Sequence, residues 1–118
     1  LEGNYIDQWH LHHPMSVTEG KNGDKNLYIG EMGPPDVQKG VPGLGNRIVV
    51  LTPEGEKIAD LGEGLPGQNA DQFVAPHGVT TDSKGNVYVG EVAWTWWGSK
   101  QEPQPLGELI SLRKWIKK

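Results

Sequence analysis

The feature that most constrains this chain is a repeat. Residues 26–31 read NLYIGE and residues 86–91 read NVYVGE, 60 residues further on. Upstream, Pro14 and Val17 recur as Pro76 and Val79 at a spacing of 62, and the turn between them absorbs the difference, EGKNGDKN in the first copy against DSKGN in the second. A period of this length marks a chain built from successive copies of one supersecondary unit, each burying its apolar surface against the next.

Each copy reads as strand, turn, strand. In the second, Val79 and Thr81 alternate with polar neighbours, and Val87, Tyr88 and Val89 carry the β-branched and aromatic signature of a following strand. Asp82, Gly85 and Asn86 supply the local hydrogen bonding and the positive φ that a tight hairpin needs. A third strand is expected over residues 46–52 (NRIVVLT) and 108–115 (ELISLRKW), each after a long loop. In the first copy a fourth is expected over residues 56–61. The second copy reaches Lys118 without one, whereas EGNYIDQW at residues 2–9 is similar to EGEKIADL at 54–61. The expectation is an all-β chain, a single unit over residues 1–118. Its parts are an outer strand within 1–11 that completes a blade, a four-stranded blade over 12–63, and three strands of a second blade over 72–118.

Composition agrees and narrows the function. Seventeen Gly and nine Pro among 118 residues disfavour long helices. A formal charge of −4, with basic residues clustered only at Arg113, Lys114, Lys117 and Lys118, lacks the electrostatic footprint of a nucleic-acid binder. No apolar run approaches the roughly 20 residues that span a bilayer. The absence of Cys removes disulfides, thiolate catalysis and cysteine-based zinc sites. The opening LEGNYIDQWH has neither a basic n-region nor an apolar h-region, so it reads as no targeting segment. The compartment stays open, with extracellular and periplasmic settings both compatible.

The pattern Pro-x-Gly-Val-x-x-Asp-x-x-Gly-Asn-Val-Tyr-Val-x-Glu, carried by Pro76, Gly78, Asp82, Gly85, Asn86, Tyr88 and Glu91, resembles the NHL repeat of six-bladed β-propellers. The resemblance covers both copies, the first more weakly. It implies four-stranded antiparallel blades arranged radially, an arrangement that leaves only short, protected edges. Two blades cannot close a ring. Six blades at two per chain imply a homotrimer joined head to tail, unless the chain is part of a longer propeller.

That geometry would place the entry to the first strand of each blade at a central channel, together with the loops at residues 32–45 and 92–107. Long loops in a compact domain are commonly functional. His77 would then stand at the channel mouth. Its Pro-His context resembles that of the peptidyl-hydroxyglycine amidating lyases, propellers whose zinc is held by histidines of separate blades. Three copies of His77 would give a tris-histidine site for zinc or another divalent cation. The plainer alternative is that His77 hydrogen-bonds a turn carbonyl. Met15 occupies its position in the first copy.

Other candidates carry their own alternatives. His10, His12 and His13 (WHLHHP) could chelate a metal in an extended segment or make surface hydrogen bonds. Glu31 and Glu91 close matching strands. Gluconolactonase-type propellers bind a divalent cation with carboxylates at strand ends, which would suit calcium or magnesium, whereas a blade-to-blade structural contact at a repeated position is the favoured explanation of the pair. Trp94, Trp96 and Trp97 (AWTWWG) would stack a small-molecule or peptide ligand, or pack as a plug or an interface. No phosphate loop or nucleophile elbow is present. The functional expectations are therefore a binding or scaffold module with a ligand face at the channel, or a metal-dependent lyase or lactonase-type hydrolase built on His77.

Overall fold

The structure is a computed structural model that describes residues 2–33 and 44–118. It is all-β, with two antiparallel sheets. The first has four strands, β1 (Pro14–Glu19), β2 (Leu27–Met32), β3 (Asn46–Leu51) and β4 (Lys57–Gly64), side by side in chain order. The second has three, β5 (Pro76–Thr81), β6 (Val87–Glu91) and β7 (Leu112–Trp115), again in order. The described residues form no closed ring.

The repeat seen in the sequence is a repeat in space. Val17 pairs with Ile29 and Ile29 with Val49; correspondingly Val79 pairs with Val89 and Val89 with Arg113. Both hairpins close on the expected chemistry. In the second, the Asp82 carboxylate accepts from the amides of Lys84 and Asn86 at 2.9 and 3.0 Å, and Gly85 takes a φ of +79° that a side chain would strain. Even the irregularity is copied. The β1–β2 ladder slips between Pro14 and Ser16 and the β5–β6 ladder between Pro76 and Gly78, so Met15 and His77 each occupy a β-bulge.

Strand alternation gives each sheet two faces. Tyr28, Ile48 and Val50 lie on one face of the first sheet and meet Val87 and Val89 of the second, with Phe73 fully buried between them. Ile29, Val49 and Leu51 lie on the opposite face of the first sheet and are buried beneath Leu11. Since Ile29 corresponds to Val89 and Tyr28 to Tyr88, the two sheets stack in one sense. The tyrosine face of the first covers the valine face of the second.

Contact between the sheets is close enough to dictate a residue. A Cβ added to Gly30 would lie 2.8 Å from Ser16 Oγ and 3.0 Å from the Pro76 carbonyl oxygen. Glycine in a strand interior commonly marks such a backbone approach.

The expected elements differ from the observed ones at their ends. The third strand of the second copy begins at Leu112 rather than 108, because Ile110 exchanges its backbone groups with the Gln68 side chain, N to Oε1 at 2.7 Å. The loop over 92–107 contains a helical turn, α1 (Ala93–Trp96), and a 3-10 turn, Gly98–Lys100. Residues 2–10 form no strand within the chain. By the repeat spacing, Leu11 and His12 hold the places of Phe73 and Val74, so residues 3–10 correspond to residues 65–72, the connector that follows β4. The second sheet is accordingly three-stranded, with its β7 edge unpaired among the described residues.

Candidate functional site

Both sheets present the start of their first strand and the end of their second at a common rim. Antiparallel pairing places Pro76 beside Glu91 and Pro14 beside Glu31. A shared apolar cluster of Met32, Val74, Ala75 and Ala93, with Trp96, Trp97 and Leu109 packed on it, ties the two ends together. His13 sits against Trp96 with ring centroids 6.2 Å apart, edge to face. His13, Glu31, His77, Glu91 and the tryptophan loop therefore gather at one end of the two sheets, whereas the loop at residues 34–43 lies outside the described residues.

Glu31 and Glu91 are each held by partners within the chain. Each side chain is buried, and each carboxylate is engaged by an arginine of the neighbouring strand: Arg47 Nε to Glu31 at 2.7 Å and Arg113 Nε to Glu91 at 2.6 Å. The remaining acceptor capacity holds the chain that enters the sheet. His12 N–H donates to Glu31 at 2.7 Å, and the Val74 and Ala75 amides donate to Glu91. A carboxylate buried in this way is tolerated because it is paired and hydrogen-bonded. Within the chain, both carboxylates are engaged by an arginine and by backbone amides. They are clamps between strand end, entry segment and third strand, and they act within one sheet rather than between sheets.

Arg47 and Arg113 were the residues that sequence reasoning missed. Arg47 stands directly opposite Glu31, whereas Arg113 stands opposite Val89, two residues along, and reaches across to Glu91. The same ion pair is made from different register positions, so spacing alone did not reveal it. The signal available was an arginine in the third strand of both copies. Arg113 also donates to the Asn69 and Gly67 carbonyls, extending the clamp into the connector.

A second repeated polar unit holds the hairpins. Tyr28 Oη donates to Asp24 at 2.8 Å and Tyr88 Oη to Asp82 at 3.2 Å. The Asn86 side-chain amide, with the Asn86 and Lys84 N–H groups and the Tyr88 hydroxyl, outweighs desolvation and holds the Asp82 carboxyl down at about 2. Asp24 is lowered too: burial opposes its ionised form, but the Tyr28 hydroxyl, the Asn26 amide and Lys117 favour it more. Burial, then the Asp24 carboxylate, pushes the Tyr28 phenol up to about 12.

What remains at the rim is exposed. His77 sits in its bulge, is solvent-exposed, and its side chain makes no hydrogen bond with the described residues. The turn carbonyl considered as its partner is therefore absent among them. Trp94 is 48 % exposed, whereas Trp96 and Trp97 are partly buried in the rim cluster. The aromatic loop thus divides into packing residues and one outward-facing indole. Among the described residues no group of three His, Asp or Glu side chains is arranged to hold a metal ion.

The histidines of the entry segment take different parts. His13 adopts a positive φ of 51° and its Nδ1 lies 3.2 Å from the Gly33 carbonyl. His10 and His12 line a cleft of roughly 630 Å³ between the entry segment and the Ile29 face of the first sheet, with Trp9, Arg47 and Lys57. His12 Nε2 is buried there without a hydrogen-bond partner.

No helix among the described residues is long and apolar enough to cross a membrane. Compared with known proteins, the chain matches no family model, no curated protein and no solved structure.

Proposed function

We propose that the chain is a two-blade portion of an NHL-type propeller that serves as a noncatalytic binding or scaffold module, presenting its ligand face at the strand-entry rim. One observation carries this reading: the strand-end carboxylates are locked into ion pairs with Arg47 and Arg113, while His77 and Trp94 at the same rim stand open to solvent. An exposed indole and imidazole on a rigid sheet end suit recognition of a small polar or aromatic ligand, such as a sugar or a peptide side chain. With two blades per chain, three chains would complete six blades and bring three rims to one axis.

A second reading, a metal-dependent lyase or lactonase-type hydrolase, is favoured by the unpartnered, bulge-borne His77. Three such imidazoles on an axis could hold zinc or another divalent cation with an open position for water. Calorimetric titration with zinc chloride, beside a screen of oligosaccharides and short peptides by tryptophan fluorescence, separates the two. The binding-module reading expects a fluorescence-detected ligand whose affinity falls about tenfold in Trp94→Ala, consistent with loss of about 1–1.5 kcal/mol of aromatic contact. Stoichiometric zinc that disappears in His77→Ala, with no ligand found, would replace it by the metal reading.

A further inference from the structure

The second sheet carries on its outer face the residues that the first sheet uses to bind a sheet. Ile48 is fully buried in the contact between the sheets; Leu112, which holds its place beside Gly90 as Ile48 does beside Gly30, is 72 % exposed. Gly30 must be glycine because Ser16 and the Pro76 carbonyl approach it. Gly90 has no such reason inside the chain, since an added Cβ would meet only the Gly78 carbonyl oxygen, at 4.0 Å, and its φ is not positive. Glycine at this strand position is accounted for by a backbone that comes from outside.

The opposite end of the stack offers the complementary surface. Val79 packs into the core between the sheets, whereas its counterpart Val17, on the outer face of the first sheet, is 65 % exposed. Leu11 lies over Ile29, Val49 and Leu51 on that face, as Phe73 lies over Val87 and Val89 on the second sheet. The Pro14 carbonyl stands where Pro76 stands in the second copy, so it is the group that would approach Gly90.

We infer that the outer face of the second sheet (Gly90, Leu112, Tyr88) docks on the outer face of the first sheet (Val17, with Leu11 above Ile29) of another copy of this chain, repeating between molecules the contact made within one. The occupant is a second copy because the contact is already present once, with its glycine, its β-branched face and its entry residue in matching positions. Lys114 replaces Val50 at the contact, and its ammonium already lies 5.1 Å from the Tyr88 ring, so its alkyl stem can cover apolar surface while the charge stays at the edge. The contact is heterologous, with two different faces meeting, and therefore propagates until it closes on itself. The inference deepens the ring proposed above and rests on it only for the number of copies.

Two substitutions on opposite faces test it. Gly90→Leu fills space that is open within the chain, and Val17→Asp charges an exposed position, so both variants keep the unfolding midpoint that the wild type shows at low concentration, where it is monomeric. Sedimentation velocity over a hundredfold concentration range is expected to show self-association of the wild type and monomers for each variant. Mixing the variants restores one intact pair of faces and gives a 1:1 dimer that goes no further. A wild type monomeric throughout, or an oligomer indifferent to both substitutions, overturns the inference. An assembly that the substitutions abolish, but which has a number of copies other than three, upholds this contact and overturns the six-bladed ring.

Discussion

At the scale of single residues, two repeated polar units hold the architecture. The Glu91 and Arg113 pair is buried at both partners, with side-chain exposures of 0 % and 7 %. Removing one charge of a buried pair leaves the other without compensation, which costs more than the pair itself contributes. Glu91→Gln is therefore expected to destabilise the fold by about 3 kcal/mol or more, read as a lower urea midpoint. Asp82 gives a prediction of opposite visibility, because it is solvent-accessible and its effect depends on pH. Its carboxyl is held at about 2 in the folded chain against 3.8 without those partners. The ionised form is thus favoured by folding. Its stabilising contribution is complete above the unfolded value and is lost as pH falls from 3.8 toward about 2. Asp82→Asn should melt lower than wild type at neutral pH, and the gap should close as pH falls toward 2. A gap unchanged at low pH would mean that the hairpin does not depend on this carboxylate.

At the scale of elements, the two hairpins are copies that differ in what lies against them. Gly30 and Gly90 occupy the same position of β2 and β6, but only Gly30 has backbone and side-chain atoms within 3.0 Å of an added Cβ. Gly30→Ala is expected to force the sheets apart, at a cost of about 1–3 kcal/mol. Gly90→Ala, in the monomer, is expected to be neutral or slightly stabilising, because alanine loses less backbone freedom on folding. Thermal unfolding of the two variants at low protein concentration checks the contrast, and equal losses would contradict the stacking sense described above. The rim follows the same logic. The bulges at Met15 and His77 were not legible in the sequence, since a bulge depends on how the ladder closes across strands. The Pro-x-Ser and Pro-x-Gly segments that carry them were visible as the entry to each copy. The division of AWTWWG into buried and exposed indoles depends on the packing of α1 against Val74 and Ala75, and a tryptophan-rich loop gives no hint of it.

At the scale of the molecule, the stack of two sheets is open at both ends, and the exposures of Leu112 and Val17 mark those ends. Charging the outer faces should leave the monomer folded, because the buried core between the sheets, from Tyr28 and Ile48 through Phe73 to Val89, lies elsewhere. The double variant Leu112→Lys with Val17→Asp is accordingly expected to remain cooperative in thermal unfolding while losing concentration dependence, as followed by circular dichroism at two concentrations. Local alternation and turn chemistry determined much of this protein from sequence by itself: the all-β class, the period, the hairpins at residues 20–26 and 82–86, and the position of the entry segments. These are properties of neighbouring residues, and the chain repeats them twice. Tertiary structure alone decided which face of each sheet is covered, that Glu31 and Glu91 pair with arginines of the third strands, and that residues 2–10 form no strand within the chain. Each of these depends on groups distant in sequence competing for the same hydrogen bonds and the same apolar surface, and that competition is settled only when the sheets meet.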